Sequence, residues 1–407
     1  MQKYIVPYIC KGSLFGEEEI EAVANLLRSD EPLAFGCERT QFETEFANFI
    51  GTKYALTVTN CTVGLEFATH LIGLKPGDEV IATPFTYQAT LLPLLDKEVK
   101  VRFCDIDPNS LSINPHNIQS LITAKTRAIY LTHYGGYMAD MNPIMELANQ
   151  HNIIVIEDCA HANGSKYQGK MAGSIGHIGC FSFQSLKNMS TLGQGGMLTF
   201  NNDRWFENIK KIRAAEPDAD FVSCESIEFG NYGKLAYGIY GHEKNSYTHE
   251  CTAIRHTGTN STLSEPACAV GRIQLTKLNS FNQRRKDIAA YLNQELSSIP
   301  EIRVQKWTSD YEHVQHLYTF FIESDSRLNR DEFAANLEAA GIQIILRYFP
   351  LHLLPEWRLK GHKFGECPTT EKIWFEQLIN LPCYPAMTDE QVIYMADKIA
   401  EIIKKMH

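Results

Sequence analysis

The sequence predicts an α/β protein: a large domain with a mostly parallel sheet sandwiched by helices, followed by a small α+β domain at the C-terminal end. Three observations predict it. Short runs that are apolar throughout recur between residues 55 and 200, and segments with helical spacing of apolar residues fill many of the gaps between them. Runs of that kind belong to strands buried on both faces, which is the signature of a parallel sheet covered by helices. After about residue 300 the alternation stops, and strands and helices follow in a different rhythm.

The elements follow in order. Residues 16–28 (GEEEIEAVANLLR) carry apolar residues at helical spacing and three acids in the first turn, which suits the helix dipole. Residues 40–50 form a second helix. The apolar runs are 55–59, 79–82, 100–104, 127–132, 153–157, 179–183 and 197–200, with helices over 62–73 and 142–151 among those between them. Two helical stretches, 264–277 and 280–298, leave this domain. Residues 316–323 and 342–347 are expected as strands, and 330–340 and 388–405 as helices. The expected divisions are 12–257 for the large domain, 258–299 for the connecting helices and 300–407 for the small domain. Residues 215–257, rich in Gly, Tyr, His and acids, have no clear period. A segment of that length reads as a functional loop or as structure that the pattern conceals.

Composition narrows the function. The chain has 407 residues, 44% hydrophobic and 21% charged, as ordinary globular proteins do. A net charge of −10 disfavours general nucleic-acid or anionic-membrane binding, so neither partner is expected. The 11 cysteines include no C-x-x-C pair, no metal site is expected, and the thiols read as reduced and mostly buried. The first residues (MQKYIVPYICKG) lack the apolar core of a signal peptide, and no apolar run reaches the roughly 18 residues of a membrane span. A cytoplasmic location is the expectation.

Four segments carry chemistry. In IIVIEDCAHA (153–162) an apolar strand ends in Glu157-Asp158, and ligands of open α/β sheets sit at the carboxyl ends of strands. A helix cap or a solvated loop acid is the alternative. In FSFQSLKNMSTLGQGG, Lys187 follows a strand and precedes a glycine segment that permits close backbone approach, the setting of a Schiff-base amine. A surface loop lysine is the alternative. The two features together suit pyridoxal 5'-phosphate, which needs a lysine for its aldehyde and an acid opposite its ring nitrogen. In ALTVTNCTVGLEFAT a strand runs through a polar turn into a helix, whose first amides, those of Thr62 and Val63, and whose Thr62 hydroxyl can cradle a phosphate. A plain helix cap at Asn60 or Thr62 is compatible with that. TPFTYQAT places Phe85 and Tyr87 after another strand end, where one aromatic ring can stack on the cofactor, core packing being the alternative for either.

In this order, these segments resemble the DegT-like (DegT/StrS) sugar aminotransferases, fold type I pyridoxal-phosphate enzymes, from about residue 16 to about residue 400. The resemblance is carried by TNCTVGL, TPFTYQAT, VIEDCAHA, FSFQSLK, GTNSTLSEPACAVGRIQLTKL and LPCYPAMTDEQV. It implies Lys187 as the Schiff-base lysine, Asp158 as the pyridinium partner and His161 near the cofactor's phenolic oxygen. It further implies Thr62 and Ser182 as phosphate ligands, Tyr87 as the stacking aromatic, and Asn260 as a residue reaching the phosphate of a second subunit. The implied protein is a homodimer with shared active sites, and the implied reaction moves an amino group from glutamate or glutamine to a keto-sugar, a nucleotide-linked keto-sugar or a keto-cyclitol. Cys61, Gln194 and Thr262 depart from the family's usual Gly, Glu and Arg. In this family a histidine in place of the lysine diverts the chemistry to dehydration, and the lysine favours transfer. Elimination, or a non-catalytic cofactor-binding regulator, are the other readings. Arg347, Tyr348 and His352 lie in a segment that borders the active site in this family, with surface charge as the alternative.

Overall fold

Seven strands form the central sheet of this computed structural model, which describes residues 4–8, 11–214 and 258–406. In chain order they are β1 (Tyr54–Val58), β2 (Glu79–Ala82), β3 (Lys100–Phe103), β4 (Thr126–Thr132) and β5 (Ile154–Asp158), then, after a two-stranded excursion β6 (Lys166–Tyr167) and β7 (Lys170–Met171), β8 (Ile178–Ser182) and β9 (Gly196–Phe200). Their spatial order is β1-β9-β8-β5-β4-β2-β3. Neighbours from β8 to β3 are parallel, and β9 alone runs against both of its neighbours. Each strand expected from the apolar runs is present, shifted by no more than a residue at either end.

Helices cover both faces, because neighbouring strand residues point to opposite sides. On one face Phe46 of α2 (Cys37–Ile50), which follows α1 (Glu17–Arg28), meets Phe181 of β8 edge-on at 5.0 Å. On the other, Gly64 of α3 (Cys61–Ile72) approaches Val58 and Leu198. Two further helices, α4 (Pro115–Leu121) and α5 (Met141–His151), complete this part, and Met141, Ile144 and Ala148 of α5 join the core cluster under Phe46 and Phe181.

The chain divides into two compact units, Met1–Asn201 with Leu263–His407, and Asn202–Thr262. In the second unit α6 (Asp203–Ala214) ends against residues 259–261, whose amides at Thr259 and Ser261 donate to the carbonyls of Ile212 and Arg213 at 2.6 and 2.8 Å. The aperiodic segment 215–257 lies outside the described residues.

In the first unit the two helices expected over 264–277 and 280–298 are one, α7 (Glu265–Leu296). Nothing breaks it, for it contains no glycine pair and its only proline sits in the first turn, where the missing N–H costs nothing. Its Glu265 is fully buried and accepts hydrogen bonds from the amides of Gly36 (2.7 Å) and Arg39 (2.9 Å), so α7 caps the start of α2. Beyond α7 a three-stranded sheet is ordered β10 (Ile302–Val304), β12 (Tyr318–Ile322), β13 (Leu378–Leu381), and β11 (Tyr311–Glu312) pairs with β6. The helices α8 (Arg330–Ala339), α9 (Pro355–Arg358), α10 (Pro368–Lys372) and α11 (Asp389–Met406) follow, and α8, α11 and the second half of α7 share a core with β10, β12 and β13.

The strand expected over 342–347 does not form. Ile342 makes a single bridge to Val6, and the chain then runs without a strand partner, because β13 occupies the edge of β12. β13 reads LINL in the sequence, too short and too close to Pro382 to declare itself.

The neighbouring acids Glu157 and Asp158 have separate fates. Glu157 is fully buried and accepts from the amides of Gly173 (2.9 Å) and Ile175 (3.1 Å) and from that of Gly176, while His133 Nε2 lies 2.8 Å from its other face. His133 Nδ1 accepts from the Ala139 amide at 3.2 Å, so its one proton sits on Nε2 and is donated to Glu157. Glu157 therefore fastens the 173–176 turn to the sheet. Glu157→Ala is expected to lower unfolding free energy by about 3 kcal/mol or more, since it strands three amides and a histidine proton. Glu157→Gln should cost clearly less. Urea denaturation of both variants measures the difference.

Candidate active site

Four strand ends and one helix start meet at the carboxyl edge of the central sheet, around a cavity of about 880 Å³. Asp158, the last residue of β5, points into it, 5% exposed. Its Oδ1 accepts the Ala160 amide at 3.0 Å and its Oδ2 accepts the Thr90 hydroxyl at 2.6 Å. Thr90 in turn lies 2.7 Å from Thr86, and Thr86 2.8 Å from Thr132 at the end of β4. All three threonines are buried. The carboxylate is thus held from two sides, by an amide of its own turn and by a chain of hydroxyls from the neighbouring strand ends.

Lys187 lines the same cavity. Its turn is fixed by backbone bonds: Lys187 N–H to Gln184 carbonyl (2.8 Å), Ser185 N–H to Gly193 carbonyl (3.1 Å) and Phe183 N–H to Gly195 carbonyl (2.8 Å). The glycine segment thereby pins the lysine turn. Among the described residues the ammonium has no ion pair. Desolvation pulls its pKa from 10.5 down to about 8, opposed by the charge of Asp158 and reinforced by Arg347. Cys61 Sγ lies 4.0 Å from Asp158 Oδ1, and burial together with that carboxylate raises its pKa well above the usual thiol value, so it stays neutral.

His161 is buried in a stack, 4.3 Å from the ring of His316 and 5.8 Å from that of Tyr348. Its Nδ1 accepts the Gly135 amide at 3.3 Å, which leaves the proton on Nε2, 3.2 Å from the Tyr348 hydroxyl. Desolvation, aided by the charges of Lys187 and Arg347, holds its pKa well below 6.5, so the ring is a neutral donor.

The remaining expected residues are accounted for as follows. Thr62 and Val63 open α3 at the cavity wall, and the Asn60 side chain accepts the Val63 amide at 3.0 Å, so this amide already has a partner. Gly196 makes the junction possible: a Cβ there would lie 2.6 to 2.7 Å from backbone atoms of Asn60 and Cys61. Ser182, at the end of β8, and Tyr87, 54% exposed, also line the cavity. Phe85 does not: it is fully buried and stacked on Tyr134 at 5.0 Å. Arg347 and Tyr348 line the cavity, whereas His352 is buried elsewhere, 2.8 Å from Glu371 and packed beside Phe103. Asn260 is exposed and belongs to the second unit. The sequence reading missed the three threonines. Their only signal was a pair of hydroxyl residues, Thr86 and Thr90, four apart after a strand end.

The chain matches the model of the DegT/DnrJ/EryC1/StrS aminotransferase family over residues 14–400. It belongs to that family. Among its relatives are the spore coat polysaccharide biosynthesis protein SpsC of Bacillus subtilis (31% identical, covering 99% of this chain and 98% of that one) and the GDP-perosamine synthase of Escherichia coli O157:H7 (31% identical, 98% of each). Among solved structures, S. venezuelae DesV in complex with a ketimine intermediate superposes with a TM-score of 0.79 at 30% identity, over 95% of this chain and 94% of that one. The chain is thus a sugar aminotransferase by family, and pyridoxal phosphate is the family's cofactor. The cavity fits such a group: a desolvated amine and a fixed carboxylate share it, and a helix start opens on it.

A buried amine with its pKa near 8 reacts with electrophiles at lower pH than surface lysines do. Trace labelling of the cofactor-free protein with acetic anhydride, followed by peptide mass spectrometry, should show Lys187 modification rising with pH to a midpoint near 8, well below the 10.5 of an ordinary lysine.

Proposed function

We propose that this protein transfers an amino group from glutamate or glutamine to a keto-sugar, a nucleotide-linked keto-sugar or a keto-cyclitol, with Lys187 as the catalytic amine. The observation that carries this reading is the pairing of Lys187, with its lowered pKa, and Asp158, doubly anchored, across one cavity at the strand ends. The two relatives named for polysaccharide and perosamine synthesis support the substrate class.

Lys187 would hold pyridoxal phosphate by its aldehyde carbon and Asp158 would face the ring nitrogen. Thr62, Ser182 and the start of α3 would hold the phosphate, with Asn260 of a second subunit. Tyr87 would lie against the ring face and His161 near the phenolic oxygen. When bound, the cofactor supplies an electron sink for the pair left behind as a proton leaves the carbon bearing the nitrogen. Asp158 would keep a proton on the ring nitrogen of the bound cofactor. Lys187 Nζ, as a free amine, would take the proton from the donor's carbon and give it back. With a pKa near 8 the amine is partly neutral at physiological pH and serves in both directions. Neutral His161 donates a hydrogen bond from Nε2 without adding charge beside Lys187.

An absorption band of the bound cofactor that disappears on adding L-glutamate or L-glutamine supports transfer, and a band that no amino acid alters favours a regulatory protein. Asp158→Asn should lower the transfer rate by about a hundredfold or more, the usual cost of removing one strong electrostatic contact. A rate within twofold of wild type would remove Asp158 from the mechanism.

The homodimer with shared sites is tested by mixing. A Lys187→Ala chain and an Asn260→Ala chain should be poorly active alone. If Asn260 serves the neighbouring site, mixed dimers contain one site with both lesions and one with neither, and activity recovers. If Asn260 serves its own subunit, mixing restores nothing.

A further inference from the structure

A second, much smaller space of about 20 Å³ adjoins the large cavity, and Leu186 and Arg347 stand on the walls of both. Tyr8 and Arg285 line it. The guanidinium of Arg285, on α7, is fully buried. Its Nη2 donates to the Gly12 carbonyl at 2.7 Å and its Nη1 to that of Cys383. Its Nε–H has no partner among the described residues. Neither carbonyl cancels the charge of the guanidinium, and among the described residues no carboxylate acts on it. Tyr8 is buried as well, and its hydroxyl also lacks a partner among the described residues. Its amide, by contrast, donates to Gln343 Oε1 at 2.8 Å, so the residue is fixed in place. Burial pushes the Tyr8 phenol up, so the hydroxyl keeps its proton. Two buried donors thus belong to one small space and have nothing to accept from them. A buried donor left unpaired is costly, and a buried cation without a counter-charge costs more.

Size and charge say what belongs there. A space of about 20 Å³ admits one particle of the size of a water molecule. A carboxylate or a phosphate has three or more heavy atoms and does not fit, so neither a substrate anion nor the cofactor's phosphate is the occupant. No acid stands on the walls among the described residues. Positive charge does accumulate: the Arg347 guanidinium carbon lies 5.0 Å from the centre of the Tyr8 ring. Desolvation, with the charges of Lys187, Arg285 and Arg347 added, holds His316 on the same wall well below 6.5. A water molecule would accept from both donors and leave the charge as it is. A monatomic anion does both. We propose that this space binds a single chloride ion, held by the Tyr8 hydroxyl and the Arg285 Nε–H. The site does not depend on the aminotransferase reading, but it bears on the lysine turn. Gly12, whose carbonyl Arg285 holds, donates its own amide to the Ser185 carbonyl at 2.8 Å. A Cβ at residue 12 would strike the carbonyl oxygens of Leu186 and Lys187, so the chain passes directly against that turn. By neutralising Arg285 the ion fastens the clasp that holds residue 12 there.

Two measurements on the holoenzyme test it. Bromide takes the place of chloride and scatters X-rays anomalously at its absorption edge. A crystal soaked in sodium bromide should show an anomalous peak between Tyr8 and Arg285. In solution, the melting temperature should rise along a saturating curve as sodium chloride replaces sodium gluconate at constant ionic strength. Tyr8→Phe removes only a hydroxyl that has no partner among the described residues, so the variant should fold. It should need about tenfold more chloride, or worse, for the same rise, the usual loss of one hydrogen bond to a charged group. The absence of an anomalous peak in bromide gives the space to water and overturns the proposal. A wild-type melting temperature that is the same in chloride and in gluconate overturns it too, as does a chloride response that Tyr8→Phe leaves unchanged. Should Tyr8→Phe not fold, the bromide crystal and the wild-type chloride curve decide between ion and water by themselves.

Discussion

The bond from Thr90 to Asp158, 2.6 Å long and sealed from solvent, ties the site to the sheet. Through Thr86 it continues to Thr132, so the ends of β2, β4 and β5 are joined by side chains where their ladders stop. A buried carboxylate is expensive to hold ionised unless its oxygens are satisfied. Here one oxygen is satisfied by an amide and the other by a hydroxyl whose own partners fix the direction of its proton. Asp158 is therefore aimed before any ligand arrives, which is the condition for electrostatic catalysis.

Around that carboxylate, neutral groups replace charged ones wherever burial demands it. His161 and His133 each accept a backbone amide on Nδ1, which dictates the tautomer and leaves one proton to give away. Cys61 remains a thiol beside Asp158. The titratable charge left in the cavity is concentrated in Asp158, Lys187 and Arg347, and a site so arranged discriminates among ligands by where they carry negative charge.

Much of this was legible in the sequence, for physical reasons that differ by element. The central strands are apolar on both faces and declare themselves by composition, and the position of Asp158 and Lys187 at strand ends follows from those strands. The break expected within α7 was illusory because a mixed polar pattern near residue 278 reflects a helix that changes neighbours, from the core of the central sheet to that of the small one. The run 342–347 has the composition of a strand and none of the pairing, since β13 takes the edge it would need. Thr86, Thr90 and Thr132 eluded the reading because a threonine after a strand has no pattern that separates a site residue from a cap. His352 was misjudged because sequence proximity to Arg347 and Tyr348 says nothing about the turn that sends it into the Phe103 core.

The unbroken course of α7 has a kinetic consequence. At 32 residues it is about 48 Å long. Its first half is packed into the core that carries Asp158 and Lys187, its second into the core behind Arg347. Both walls of the cavity are thus mounted on one rod, and a helix without an internal proline or glycine pair resists bending. Entry and exit then fall to the exposed rim, where Tyr87 and Gln194 stand on turns and can swing by rotamer changes. Side-chain rotations of that kind take place on the scale of nanoseconds rather than the micro- to milliseconds of a hinge.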